Sequence, residues 1–154
     1  MAQRPVPVPD DVSAQFWDAA ARGELAVQRC VSCQDLQYPP EITCRRCHSD
    51  DLSYTGVSGR GRVYSFAVVE RAFHAGFADR LPYVTAMVEL EEDPRVRLFT
   101  NIVDSAPGSV EVGMPVEVTF ETVGDRVLPQ FRRRVEPPGT ASGRRVDGEP
   151  AGAR

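Results

Sequence analysis

The stretch CVSCQDLQYPPEITCRRC, residues 30–47, holds all four cysteines of the chain as two C-x-x-C pairs, Cys30/Cys33 and Cys44/Cys47, with ten residues between the pairs. Two thiolates three positions apart fit on one tight turn and converge on a metal, and a second such turn completes a tetrahedral sulfur site. The spacing predicts a structural zinc ribbon. A single iron would use the same sulfur geometry, and disulfides or a degenerate site without metal are the other readings. A thioredoxin-like redox motif needs one C-x-x-C opening a helix, not two pairs bridged by a β-rich loop. A closed four-cysteine shell has no open coordination position, so its metal is expected to hold structure and not to activate water. His48 adjoins the last cysteine, but the shell is already full.

A chain of 154 residues with 42% hydrophobic content can build one ordinary domain, or a small metal-stapled module plus a compact one. The net charge is −4 and every basic residue is arginine, with no lysine. An acidic chain is a poor generic polyanion binder, so nucleic acid would have to be met by a local arginine cluster. The opening residues, MAQRPVPVPDD, lack the apolar core of a secretion signal, and no run approaches the roughly 20 apolar residues of a membrane span. No membrane partner is expected, and the chain reads as cytoplasmic.

Working outward from the cysteines, residues 1–10 are proline-punctuated and predicted extended, and 11–24 a short helix with Asp10 and Asp11 as N-cap candidates and Gly23 as its stop. Val12, Phe16 and Ala19/Ala20 make one apolar face with Trp17 beside it. That face either packs on its own domain or docks on another subunit, Phe16 and Trp17 being the interface candidates. Residues 25–55 form the zinc ribbon, with Pro39-Pro40 ending its second strand. From about residue 56 to 134 the pattern is β throughout, with one aromatic loop at 72–80 and an acidic turn, EEDP. Five strands in about 75 residues suggest a Greek-key barrel such as the OB-fold, or a small open sandwich. The fold class is therefore mostly β, an N-terminal helix and a zinc ribbon preceding a five-stranded barrel. Residues 135–154, rich in proline, glycine and charge, are expected to be disordered.

Catalytic sets are scarce. There are two histidines, His48 and His74, and no cysteine is left as a nucleophile once the metal is served. There is no G-x-S-x-G, Walker loop or H-E-x-x-H. Gly59-Arg60-Gly61 resembles a phosphate loop superficially, but it opens a strand, which favours a β-turn or bulge. Arg60, Arg62 and the Arg132–Arg134 run offer guanidinium groups to a phosphorylated ligand, or form a solvated charged edge. Phe73, Phe77 and Tyr83 around His74 would line an apolar channel, stack on a nucleobase, contact a protein partner or cover the barrel's mouth.

The order of these features is similar to a known family. FWDAAARGELAVQRC, the double knuckle with CQDLQYPP and CRRC, SGRGRVYSFAVVERAFHAGFADRLPYVTAMVEL, VGMPVEV and LPQFR together resemble the family once catalogued as domain of unknown function 35, over about residues 11–134. The resemblance implies a rubredoxin-like zinc ribbon, a C-terminal OB-fold, and a link to acyl-CoA metabolism. Members of that family look like non-catalytic partner subunits of thiolase-superfamily enzymes: acetyltransferases, ketothiolases, and lipid-transfer-protein-like aldolases of steroid side-chain breakdown. A similar domain is also fused to MaoC-type hydratases. By resemblance, then, the chain is expected to complete its partner's acyl-CoA channel, with Arg60, Phe73, His74, Phe77 and Tyr83 as channel candidates. A nucleic-acid-binding ribbon and OB module is the alternative. Gln34 and His48 stand where glycine commonly follows the second and fourth cysteines, which bears on turn geometry and leaves the ligands intact.

Overall fold

A computed structural model describes residues 4–135. The expected disordered tail lies, Val135 apart, outside the described residues. Arg4–Asp10 runs without regular secondary structure into helix α1, Ala14–Ala21. The helix starts later than the sequence predicts because Asp10 Oδ1 accepts hydrogen bonds from the Ser13 amide at 2.7 Å and the Ser13 hydroxyl at 2.5 Å, closing a separate turn first. It stops as expected, with Gly23 at φ +76° and its amide bonded to the Ala20 carbonyl.

The ribbon is a three-stranded antiparallel sheet in the order β2-β1-β3, formed by β1 (Ala26–Cys30), β2 (Leu36–Gln37) and β3 (Leu52–Gly56). Five strands then close a barrel: β4 (Arg60–Val69), β5 (Tyr83–Leu90), β6 (Arg97–Val103), β7 (Pro115–Val123) and β8 (Arg126–Arg133). Their order is β4-β5-β6-β8-β7 with β7 returning to β4, and the β6–β8 pairing is parallel while the others are antiparallel. This is the five-stranded Greek-key connectivity of the OB-fold. The loop predicted at 72–80 holds a 3-10 turn, Ala75–Arg80. Among the described residues no helix is long and apolar enough to cross a membrane.

One core joins helix, ribbon and barrel. Phe16, Leu25 and Val27 pack with barrel residues such as Val63, Val88, Val116 and Phe131. Phe16 is 4% exposed, edge-on to Trp17 with ring centroids 4.9 Å apart and 5.4 Å from Tyr38. Burying such a ring is worth about 1.5–3 kcal/mol. Phe16 therefore spends its surface within its own chain and has none to give a partner. Trp17, half-buried, keeps some. Arg95, after the acidic turn, pairs with Asp35 of the first knuckle at 2.9 Å and with Asp93 at 2.6 Å, clasping ribbon to barrel.

The barrel closes at Gly59-Arg60-Gly61. Gly61 lies opposite Leu90 of β5 and Val116 of β7, and a Cβ there would sit 2.3 Å from the Glu89 carbonyl oxygen and 2.8 Å from Val88 Cγ1. Gly59 adopts φ +72°, and a Cβ on it would come within 2.2 Å of Val118 Cγ1. The glycines thus serve close strand approach. Gly61→Ala is expected to cost about 1–3 kcal/mol through overpacking, read as a lower urea midpoint at unchanged slope. Arg60→Ala, on the exposed side of the same turn, should stay within about 0.5 kcal/mol.

Candidate metal centre and barrel cleft

Two matching turns carry the cysteines. The Gln34 amide bonds to the Cys30 carbonyl and the His48 amide to the Cys44 carbonyl, both at 2.9 Å. Gln34 and His48 both adopt left-handed backbone, φ 63° and φ 61°. Non-glycine residues thus hold the conformation that explains why glycine suits these positions. The Ser32 and Ser49 hydroxyls meet at 3.0 Å across the turns.

The four Sγ atoms lie within 4.8 Å of one another, with Cys30–Cys47 at 3.5 Å and Cys33–Cys44 at 3.6 Å. A tetrahedron with Zn–S bonds of about 2.3 Å has edges of about 3.8 Å. The donors fit such an ion. The Arg46 amide points at Cys44 Sγ at 3.4 Å. Backbone donation from Cys47 and Arg46 holds the Cys44 thiol down, to about 7, whereas at Cys33 backbone donation from Asp35 is outweighed by desolvation and the neighbouring thiols, which push that thiol up. Cys30, Cys33, Cys44 and Cys47 can therefore bind a structural zinc. His48 is exposed and not among the converging donors.

A feature with no sequence signature supports the second turn. Gln28 and Gln37, cross-strand neighbours on β1 and β2, are both buried. Gln28 Nε2 donates to the Glu41 carbonyl at 2.9 Å while its Oε1 accepts from the Glu41 amide at 2.8 Å and from Gln37 Nε2 at 2.9 Å. Gln37 Oε1 in turn accepts from the Arg45 amide at 3.0 Å. The two amides thus serve the loop after Pro39-Pro40, whose backbone has no strand to pair with.

Of the channel candidates, Phe77 stacks on Tyr83 with ring centroids 5.6 Å apart, and His74 meets Phe77 edge-on at 6.5 Å. His74 Nδ1 accepts the Gly76 amide at 3.0 Å, capping the 3-10 turn. Phe73 projects into solvent at 88% exposure. Arg60 does not join them. It opens β4 while the aromatic loop follows the strand's far end, nine residues or about 30 Å along the strand.

Phe77 and Tyr83 instead line a cleft of about 270 Å³ with Arg4, Arg80, Asn101 and Glu121. Glu121 is its polar centre. Arg4 grips it with two hydrogen bonds, 3.2 and 3.0 Å, Arg80 approaches at 2.8 Å and Gln130 donates at 3.2 Å. Burial pushes the Glu121 carboxyl up, but Arg4 and Arg80 outweigh it and hold it below the usual range. Arg4 also lies 5.7 Å from the Phe77 ring centre. Sequence reasoning missed this set because its key pair is 117 residues apart. The Arg132–Arg134 run is largely occupied: Arg132 pairs with Glu117 at 2.9 Å, Arg134 with Glu91 at 2.6 Å, and Arg133 donates to the Ser109 carbonyl.

Comparison with known proteins identifies the family. A family model described as the ChsH2 rubredoxin-like zinc ribbon domain matches residues 17–53, and one described as the ChsH2 C-terminal OB-fold domain matches residues 54–121. The solved structure of an Ltp2-ChsH2(DUF35) aldolase contains a chain 37% identical to this one, with a TM-score of 0.77 over 84% of this chain and 100% of that chain. The chain belongs to the DUF35 family. A probable enoyl-CoA hydratase alpha subunit of Thermomonospora curvata is 39% identical to this DUF35 member over 135 residues, 87% of this chain. The chain spans 41% of that relative's length. A benzoylsuccinyl-CoA thiolase subunit, BbsA, of Thauera aromatica is 31% identical over 97 residues, 63% of each chain.

In this DUF35 member Cys44→Ser is expected to lose stoichiometric zinc, measured by atomic absorption, together with ribbon folding. His48→Gly should keep one zinc per chain and shift stability by no more than about 1 kcal/mol, because relief of left-handed strain and added chain entropy oppose each other. Zinc retention should weaken as pH falls, since protons compete for the thiolates.

Proposed function

We propose that this chain is a non-catalytic accessory subunit that binds a thiolase-superfamily enzyme and helps form or stabilise its acyl-CoA substrate channel. The observation that carries this reading is the match over the entire DUF35 chain of an aldolase whose other component is Ltp2, with the BbsA thiolase subunit in support. The chain's own chemistry agrees. Its four thiols converge as a metal shell, and His74 caps a turn. The Phe77–Tyr83 stack and the cleft beside it are the part of the barrel suited to an acyl-CoA ligand shared with the partner. A hydratase of the MaoC type is a second partner class, favoured by the 135-residue match to a hydratase alpha subunit. The nucleic-acid alternative has less in its favour, given a net charge of −4 and an arginine run engaged in ion pairs.

Co-expression with a thiolase-superfamily protein encoded beside it should yield one complex on gel filtration, whose acyl-CoA turnover is lost when this chain is omitted. Two separate proteins, the enzyme fully active alone, would sink the proposal.

A further inference from the structure

Strand β4 is paired with β5 from Gly61 to Val69, but with β7 only from Arg60 to Arg62. Val63 extends that second flank by one residue, its amide donating to the Met114 carbonyl and its carbonyl accepting from the Gly113 amide. From Tyr64 to Val69 the flank is open, with no backbone partner on that side among the described residues. A bulge between Val63 and Ser65 marks where the strand departs from the closed barrel.

Register shows what this open edge presents. Phe66 lies opposite Ala86 and Val68 opposite Val84, and directly opposed residues share one face of a sheet. Ala86 and Val84 are each 1% exposed, so this is the barrel's inner face. Yet Phe66 is 36% and Val68 39% exposed. Two core-facing side chains are thus only partly covered. The sequence of the edge, YSFAVV, contains no charge, proline or glycine. Those are the devices by which solvent-exposed edges are kept from pairing.

The geometry points to an extended segment of the thiolase-superfamily partner adding to β4 as a sixth barrel strand, with apolar side chains at alternate positions covering Phe66 and Val68. This rests on the accessory-subunit reading. Area argues against a second copy of the chain as the occupant. Six residues span about 20 Å, and a strip about 10 Å wide along them is on the order of 200 Å² per copy. A stable dimer needs about 1,000 Å² in total. Edge pairing of this length suffices only as part of a wider contact, such as a large partner supplies.

Amide hydrogen exchange on the full chain, alone and in complex with the co-expressed thiolase-superfamily protein, tests this. Amides at alternate positions in 64–69 should exchange at least about tenfold more slowly in the complex. The double variant Phe66→Lys/Val68→Lys should retain zinc and far-UV circular dichroism while weakening the complex by at least about tenfold. If the complex forms but exchange at 64–69 is unchanged, the strand-addition inference falls and the accessory reading stands. If the unaltered chain forms no complex, both fall. Protection of these amides in the chain alone, rising with concentration, would assign the edge to a second copy and overturn the inference.

Discussion

The convergence of four thiolates fixes the geometry on which the first third of the molecule depends. Strands of five, two and five residues cannot bury much apolar surface, and below about 40 residues a module ordinarily needs a metal or disulfides to hold its shape. The two knuckle turns, the Gln28–Gln37 pair and the serine contact all orient backbone toward that sulfur cluster. With the ribbon so fixed, Leu25 and Val27 enter the same core as the barrel, and Arg95 closes on Asp35. A metal held there would act through rigidity, since four sulfurs leave no coordination position for a substrate.

The barrel is held by a different constraint, the room left at Gly59 and Gly61 for strands to meet. Closure there and opening a few residues later give β4 two characters. Its first half seals the core and its second half, paired with β5 alone among the described residues, leaves inner-face side chains partly exposed. The aromatic loop that follows β4 bounds a cleft whose other wall includes Glu121, gripped by an arginine from the far end of the chain. A rigid ribbon, a sealed barrel base and an unsealed rim suit a subunit whose work is done against another protein.

Much of this is legible in the sequence for specific physical reasons. Cysteine spacing gives the metal shell, alternation gives the strands, and turn residues give their limits. The left-handed backbone at Gln34 and His48, after the second and fourth cysteines, is not announced by those residue types, which adopt it less readily than glycine. What the sequence hides is tertiary. The Arg4–Glu121 pair and the Gln28–Gln37 network use residues with no distinctive spacing. The fate of Phe16, buried while Trp17 keeps some surface, depends on how the helix rotates against Tyr38. Arg60 and the aromatic loop are grouped as channel candidates at the level of sequence, and the length of β4 separates them.

In the proposed function, bond-making chemistry belongs to the partner and positioning to this chain. The most direct test of that division is steady-state acyl-CoA turnover by the reconstituted pair after His74→Ala and His48→Ala replacement in this subunit. The expected kcat lies within about twofold of that of the unaltered pair. A loss of the order of 10²–10⁴, the scale of a removed general acid or base, would contradict it.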